Sequence, residues 1–361
     1  MPSIGLMTLD EQSEYAFHLH IAKRAVENGL DVYRFLPEAI DERKKVITGW
    51  RFFKEEKTWL SDRFSYPNFI YDRCFYRNED EQKQFESKVK SLQHNPNTLF
   101  LTYDLPDKWT FYEIMKHNEL IKPYLPDTSY AKNAKQLLKE AKEKGKILLK
   151  PAFGFAGRGI FVIEHKKDEF VVKTVKGKNT LEKSSDGKNV GRWLQALIDK
   201  RSYIVQPFLN LSDDSNRPFD LRLLLQKDGQ GNWNVRGKVL RFGKGKGIIS
   251  NLHAGGEPVP YDKWRERFPA SKIAFIENEI HELTSTIPPL LETIFRPLVE
   301  LGIDLGIDQN GAVWLLEVSG KPGRNVYFKL DRNVYASLCE APVQYVTDVL
   351  HTANGNKEGE T

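Results

Sequence analysis

The sequence predicts a mixed α/β (α+β) protein with an open α/β domain at its start. Apolar residues at the two-residue period of strands alternate with helical patterns from residue 4 onward. Hairpin signals at 228–231 and 310–311 predict antiparallel strands in the second half of the chain. The hydrophobic share of 40% and the aromatic share of 12% are large enough for well-packed cores.

Length and composition exclude several classes of protein. At 361 residues, and with roughly 100–200 residues per domain, two or three domains are expected. A net charge of +5 suits anionic ligands such as nucleotides but falls short of the charge typical of nucleic-acid binding. Two cysteines, Cys74 and Cys339, give neither a disulfide framework nor a metal spacing, so a cytoplasmic protein is expected. No apolar stretch reaches the roughly 18 residues of a membrane span, and residues 1–10 lack a signal-peptide pattern.

Residues 1–104 are predicted to form the open α/β domain. A strand over 4–9, a helix over 10–28 and a strand over 31–36 give a βαβ-like start. Further predicted elements are strands at 46–59, 68–71 and 98–102 and a helix at 79–92. No GxGxxG motif is present, so we expect this domain to support the site or its substrate side.

A glycine-rich flap is predicted next, after helices at 107–117 and 131–144. A short strand over 147–151 carries Lys150, and the loop AFGFAGRG (152–159) leads into a strand over 160–163. Glycines let backbone N–H groups close over phosphates, and Lys150 supplies a point charge beneath them. The loop is not a Walker A motif, because no GK[ST] opens a helix; the alternative is a simple tight hairpin.

Several elements are predicted between the flap and the last hairpin. Pro207 blocks further pairing of a strand over 203–209 and predicts a hinge-like exit. Strands over 219–226 and 233–242 carry Arg222 and Arg241, whose forked side chains suit phosphate oxygens; the alternative is a surface salt bridge for each. The other expectations are an exposed loop at 173–188, a helix at 190–198, a glycine-rich anion-binding or mobile loop at 243–256 with Asn251 and His253, a helix at 270–301 broken near 288–289, a helix at 333–351 and a disordered tail at 352–361.

The stretch GIDLGIDQNGAVWLLEVSGKPG (302–323) predicts a hairpin with acidic residues on one face. A two-residue turn at Asn310-Gly311 places Asp304 directly opposite Glu317, with Cβ atoms roughly 4.5–5.5 Å apart. Two carboxylates at that separation would repel unless a cation lies between them, and Mg²⁺ with oxygen ligands at about 2.0–2.1 Å fits the gap. Ser319 faces the same way and can add a hydroxyl ligand; the alternative for the acidic pair is a solvated face. The predicted core residues of the hairpin are Trp314, Leu316 and Val318.

Taken in order, these parts resemble the ATP-grasp superfamily over residues 105–350, and most of all its YheC/YheD-like, endospore coat-associated proteins. The matching stretches are FIYDR, DKW, LLKPAFGFAGRGI, YIVQPF, FDLRLLL, SNLHAGG, ELGIDLGID and WLLEVSGKPGR. The resemblance implies an ATP-grasp fold preceded by a pre-ATP-grasp domain at 1–104. It implies two subdomains, at 105–210 with the phosphate flap and at 211–351 with the metal hairpin, and an association with spores.

The resemblance also implies ATP and Mg²⁺ as cofactors and a role for each matching residue. Nucleotide-binding positions are matched by Lys108 and Lys150 at the phosphates, Gly154, Gly157 and Gly159 in the flap, and Gln206, Pro207, Phe208 and Leu209 at the adenine-reading hinge. Positions at the reacting groups are matched by Arg222, Arg241 and Asn251 near the transferred phosphate, Asp304 and Glu317 as magnesium ligands, and Gly323 and Arg324 at a substrate carboxylate. Ser319 departs from the E-x-N pattern, because it stands where the family has Asn.

The function that this resemblance implies is an ATP-dependent carboxylate–amine (or thiol) ligase acting through an acylphosphate. Its expected partners are small-molecule or peptide carboxylates and amines, with no nucleic acid and no membrane; a homodimer is left open. Because Ser319 replaces Asn, an alternative is an ATP-binding structural protein of a coat or assembly with reduced catalysis. Phosphoryl transfer to a hydroxyl lacks the kinase HRD and DFG motifs.

Overall fold

A computed structural model describes residues 1–154, 157–177, 179–243, 245, 247, 250 and 256–358. Three β-sheets, each formed by a different part of the chain, meet around one cleft. The mixed α/β class predicted from the sequence is confirmed.

The first sheet contains the parallel βαβ start. In spatial order its strands are β3 (Ile40–Asp41), β4 (Val46–Phe53), β2 (Asp31–Phe35), β1 (Ser3–Met7), β6 (Phe69–Asp72) and β7 (Leu99–Phe100), with β5 (Thr58–Ser65) paired to β4. Its helices are α1 (Tyr15–Glu27) and α2 (Glu79–Gln93). Strand β1 pairs in parallel with both β2 and β6, and all five of its residues are buried. The predicted strand at 46–59 is instead a hairpin of β4 and β5.

The second sheet carries the flap. In spatial order its strands are β12 (Asn179–Asp186), β11 (Glu169–Lys176), β10 (Phe161–Lys166), β9 (Lys146–Pro151), β13 (Tyr203–Pro207) and β8 (Ser129–Tyr130). Helices α4 (Ala134–Lys144) and α5 (Gly187–Ile198) pack on it, and α3 (Lys108–Met115) leads into it. The exposed loop predicted at 173–188 is wrong, because β11 and β12 pair there along eight residues each. Strand β12 is exposed on both faces, so its sequence shows no apolar alternation.

The third sheet carries the acidic hairpin. In spatial order its strands are β16 (Glu257–Pro260), β15 (Trp233–Phe242), β14 (Phe219–Lys227), β17 (Glu300–Ile307) and β18 (Val313–Ser319). Its helices are α6 (Tyr261–Arg265) and α7 (Ala270–Ile294). Helix α7 passes through Pro288 and Pro289 without a break, since Ile287 and Leu291 are fully buried against the sheet and hold the helix in place. The helix predicted to reach 301 ends at Ile294.

The C-terminal helices connect the third sheet to the first. Helices α8 (Asn325–Leu330) and α9 (Arg332–Glu358) close the described chain. One apolar cluster joins Leu338 and Val346 of α9 with Ile21 of α1 and Leu224 of β14. The prediction of a disordered tail at 352–361 is wrong for 352–358, which continue α9; 359–361 lie outside the described residues.

Candidate functional site

A cleft of about 920 Å³ lies where the three sheets meet. Its walls include Phe75 and Asp104 from the first part of the chain, Lys150 from β9, and Asp304 and Glu317 from the hairpin. Most charged residues that the sequence places at the site therefore face one common space.

The hairpin places Asp304 opposite Glu317, as predicted, but the turn that connects its strands differs from the predicted one. The turn is a three-residue loop and not the predicted two-residue turn. The N–H of Gly311 donates to the carbonyl of Asp308 at 3.0 Å, and Gly311 has φ +93°. The Asp308 carboxylate accepts from the N–H groups of Asn310 and Ala312, at 2.9 and 3.0 Å, which favours a turn that starts at Asp308.

A β-bulge between Asp304 and Leu305 restores the predicted pairing. Near the turn Leu305 pairs with Leu315, and Leu316 is the extra residue of the bulge. The bulge also shifts which side chains point inward. Val313, Leu315 and Val318 are buried, so the predicted core position of Val318 is confirmed, whereas Trp314 and Leu316 are partly exposed.

Asp304 lies between the two arginines predicted near the transferred phosphate. Its Oδ2 atom accepts from Nη2 of Arg222 and lies near Nη2 of Arg241, both at 2.8 Å, and its Oδ1 accepts from Nε of Arg222. Burial alone would raise the pKa of Asp304, but the two guanidinium groups outweigh it and lower that pKa to about 2. Neither arginine forms the surface salt bridge considered as the alternative, since both side chains are largely buried.

Asp220 is a third carboxylate in this group, and the sequence reasoning missed it. Its Oδ1 accepts from Nε of Arg241 at 2.6 Å, and Ser250 donates to its Oδ2. Burial raises the pKa of Asp220. The available signal was its spacing, because Asp220 stands two residues before Arg222 on one face of β14. Asn251 lies outside the described residues.

The second carboxylate, Glu317, is paired with a lysine. Nζ of Lys108 lies 3.0 Å from Oε1 of Glu317 and donates to the carbonyl of Gly154 at 2.6 Å. Asp107 caps α3 by accepting from the N–H of Trp109 at 3.0 Å, which fixes the start of the helix at Lys108. Lys150 interacts electrostatically with both Glu317 and Lys108, and burial lowers the pKa of Lys150 to about 8.

The flap glycines adopt backbone conformations that other residues rarely take. Gly154, Gly157 and Gly159 have φ of +125°, +66° and +75°. Arg201, which the sequence reasoning did not single out, donates to the carbonyl of Phe153 at the base of the flap. Phe155 and Ala156, at the flap centre, are outside the described residues.

The hinge predicted at 206–209 leaves β13 beside the cleft. Gln206 is buried and donates to the Thr128 hydroxyl at 2.8 Å. The N–H of Phe208 donates to the carbonyl of Lys146 at 3.2 Å, and the Lys146 ammonium lies 3.9 Å from the Phe208 ring centre. Pro207 is the last residue of β13, and Leu209 lines the cleft.

Gly323 lines the cleft, whereas Arg324 is buried and paired with Glu300. Arg324 is 2% exposed and donates to the Tyr71 hydroxyl and to the Glu300 carboxylate, and its guanidinium lies 4.1 Å from the Phe17 ring centre. The structure therefore places Arg324 in a buried ion pair with Glu300, against Tyr71 of the first sheet. Its predicted contact with a substrate carboxylate is not supported by this position.

The carboxylates fit Mg²⁺ as a partial ligand set. Among the residues described, no group of three or more His, Cys, Asp or Glu side chains is arranged to hold a metal by itself. Mg²⁺ usually takes one or two protein carboxylates and completes its shell with substrate phosphates and waters. Asp304 and Glu317 supply two opposed carboxylates, and Ser319 pairs one alternation further along the hairpin. These oxygen donors suit a metal that arrives together with a nucleotide's phosphates.

Two sheets that face each other across a cleft with a glycine flap, lysines and opposed carboxylates define an ATP-grasp protein. Residues 97–348 match the family described as YheC/D like ATP-grasp. The chain belongs to this family. It is 30% identical over 345 residues to the endospore coat-associated protein YheC of Bacillus subtilis (strain 168), with 95% of each chain covered.

Solved structures show the same fold at low sequence identity. D-alanyl-alanine synthetase A of Vibrio cholerae O1 biovar eltor str. N16961 matches with a TM-score of 0.54 and 10% identity, over 96% of this chain and 98% of that one. A RiPP-associated ATP-grasp ligase of Chryseobacterium gregarium, in complex with ADP and a leader and core peptide, matches with a TM-score of 0.51 and 11% identity, over 94% and 96% of the two chains. No helix in the described part of this chain is long and apolar enough to cross a membrane.

Proposed function

We propose that this protein is an ATP-dependent carboxylate–amine (or thiol) ligase that works through an acylphosphate. The observation that carries the proposal is the opposed pair Asp304 and Glu317 in the cleft, with Arg222 and Arg241 on one carboxylate and Lys108 on the other. Cations and carboxylates that neutralise each other here are the groups needed to bind anionic phosphates and a divalent metal.

The nucleotide lies between the second and third sheets in this proposal. The adenine lies against the hinge at 206–209, which follows the last pairing of β13 and lines the cleft. The phosphates lie under the flap glycines, beside Lys108 and Lys150. Lys150 is a partly buried positive charge there, and its pKa of about 8 keeps most of its population charged at neutral pH.

Asp304 and Glu317, with Ser319, would hold Mg²⁺, which when bound neutralises phosphate charge. The substrate carboxylate attacks the γ-phosphorus, the bond to the β-phosphate oxygen breaks, and ADP leaves. The amine or thiol then displaces phosphate from the acyl carbon. Arg222, Arg241 and Lys108 stabilise the charge that spreads over the transferred group, and the flap excludes water from the acylphosphate. Asn251 is also proposed to lie near the γ-phosphate.

The surrounding chain is proposed to be organised as three units at 1–104, 105–210 and 211–351. Substrates are proposed to be small-molecule or peptide carboxylates and amines, held near Gly323 on the side of the first unit. Because the relative YheC is named as endospore coat-associated, we propose a role in spores for this chain too.

The test is a phosphate-release screen with ATP, Mg²⁺ and pools of amino acids and peptides. A pool that stimulates release in the wild type and not in Glu317→Gln supports the ligase. Asp168→Asn, which removes a carboxylate from an exposed turn, is the matched control and should keep full activity. Stimulated release that persists in Glu317→Gln would contradict the role of the acidic pair.

A second candidate function is an ATP-binding structural protein of a coat or assembly. Ser319 favours it, because a hydroxyl stands where the family has an amide oxygen and already accepts from the N–H of Lys321 at 3.3 Å. ATP binding without phosphate release from any pool would support this candidate. Ser319→Asn discriminates further, since it should raise Mg²⁺ affinity if Ser319 weakens the site.

A further inference from the structure

Two segments of the chain that are far apart in sequence run antiparallel along the edge of the cleft and are joined at both ends. Segment 104–108 begins with Asp104 and ends with Lys108, and segment 317–321 begins with Glu317 and ends with Lys321. Lys108 pairs with Glu317 at 3.0 Å, and Lys321 pairs with Asp104 at 2.6 Å. Each segment begins with an acid and ends with a base four residues later, so in the antiparallel alignment the end of each segment meets the opposite charge of the other.

The outer end of this arrangement is held much more firmly than the inner end. Lys321 is 4% exposed, and its ammonium lies 2.7 Å from Oδ2 of Asp72, 2.6 Å from Oδ2 of Asp104 and 3.3 Å from the carbonyl of Cys74. All of these acceptors belong to the first 104 residues. At the inner end, the Lys108 and Glu317 side chains are 21% and 35% exposed and face the cleft.

Backbone contacts hold the same loop against the first domain. A Cβ on Gly320 would collide with the carbonyl oxygen of Tyr103, so the two backbones pass in direct contact. Arg73, which is fully buried, donates to the carbonyl of Pro322 at 2.8 Å. The residues directly after β18 are therefore held against the first part of the chain by Arg73 and Tyr103.

We propose that Lys321 is a positioning residue for the metal end of the site. This inference rests on the proposed function. Binding of a nucleotide with its metal must separate Lys108 from Glu317, because the lysine then contacts phosphate and the carboxylate contacts the metal. The outer pair of Lys321 with Asp72 and Asp104 keeps the two segments in register while the inner pair opens, so that Glu317 and Ser319 stay directed at the cleft.

The experiment is calorimetric titration of ADP in excess Mg²⁺ and in EDTA, which gives the enhancement of ADP affinity by the metal. For Lys321→Met we expect this enhancement to fall at least threefold, with the affinity in EDTA changed less than threefold. Lys321→Arg, which keeps the cation, should restore it. The matched control is Lys227→Met, because Lys227 pairs with Glu292 at 2.7 Å at the far end of β14 and its side chain is also mostly buried, at 13% exposed.

The outcomes separate this inference from the proposed function. A wild type that binds no ADP, or binds it without any metal enhancement, overturns the proposed function and this inference with it. A wild-type enhancement that Lys321→Met retains overturns the positioning role alone. An equal loss in EDTA and Mg²⁺, or the same loss in Lys227→Met, also overturns it, since a general loss of structure would explain either result.

A second variant covers the case in which Lys321→Met does not fold. Removing the lysine leaves the buried Asp72 carboxylate without its cation, whereas Asp104→Asn removes the more exposed acceptor and leaves the pair of Lys321 with Asp72 intact. Asp104→Asn is then held to the same threshold: a threefold loss of metal enhancement supports the positioning role, and a smaller loss overturns it.

Discussion

Asp304→Asn should destabilise the protein in a pH-dependent manner. The two arginines lower the pKa of Asp304 from 3.8 to about 2, and its side chain is 9% exposed, so little solvent screening applies. At about 1.36 kcal/mol per pKa unit, the charged form contributes about 2 kcal/mol at neutral pH. With an unfolding entropy of about 2.1 cal/mol/K per residue, this corresponds to a loss of about 3 °C in Tm.

The sign of the pH dependence follows from the lowered pKa. The contribution is complete above pH 3.8 and is lost as the pH falls through about 2, so roughly half of it remains at pH 3. Thermal unfolding of the wild type and Asp304→Asn at pH 7 and pH 3 measures the difference. Asp168→Asn, in an exposed turn, is the control and should leave Tm within about 1 °C. An equal Tm difference at both pH values, or none at pH 7, would contradict a stabilising charge on Asp304.

Three further predictions concern ADP binding measured by calorimetry. In Glu317→Gln, the enhancement of ADP affinity by Mg²⁺ should fall at least about tenfold. In EDTA this variant should bind ADP at least as tightly as the wild type, because Lys108 no longer pairs with Glu317 and is free to contact the phosphates. Weaker binding in EDTA would contradict this prediction. Gly154→Ala should weaken ADP binding by about fivefold or more, since Gly154 has φ +125° and the new Cβ would lie 2.7 Å from Nη2 of Arg201. Gly177→Ala is the control and should not weaken binding, because no atom lies within 4 Å of the new Cβ, although φ is also positive at +62°. Equal effects of the two substitutions would rule out a role for the flap in ADP binding. Because Lys150 loses its proton as the pH rises through about 8, ADP affinity should fall between pH 7 and 9 in the wild type and stay flat in Lys150→Arg; parallel profiles would exclude Lys150 as the titrating group.

The hairpin shows how much of the site could be read from the sequence. The pairing of Asp304 with Glu317 was predicted correctly, although the turn was wrong, because the three-residue loop and the bulge at Leu316 cancel each other in register. The bulge itself has no plain sequence signal. For that reason the inward positions at Trp314 and Leu316 were assigned wrongly, while Val318, beyond the bulge, was assigned correctly.

The residues that the sequence reasoning missed act through long-range contacts. Lys321 and Asp104 are 217 positions apart in the sequence, and the local sequence around each gives no signal that the two side chains form an ion pair in the folded protein. Arg324 shows the converse: its motif suggested a ligand contact, but burial against Glu300 and Tyr71 gives it a different place. Strand β12 was missed because both of its faces are exposed. The alternation of apolar and polar residues indicates a strand only when one face of that strand is buried.

Asp304 and Glu317 are proposed to bind a divalent metal together with a nucleotide. The most direct measurement is an anomalous difference map from crystals grown with ADP and Mn²⁺, which replaces Mg²⁺ and can be located by its scattering. We expect one peak within about 2.5 Å of a carboxylate oxygen of both residues, with Lys108 moved away from Glu317 toward the phosphates. A peak elsewhere, with Asp304 still bound by both arginines and Glu317 by Lys108, would contradict it.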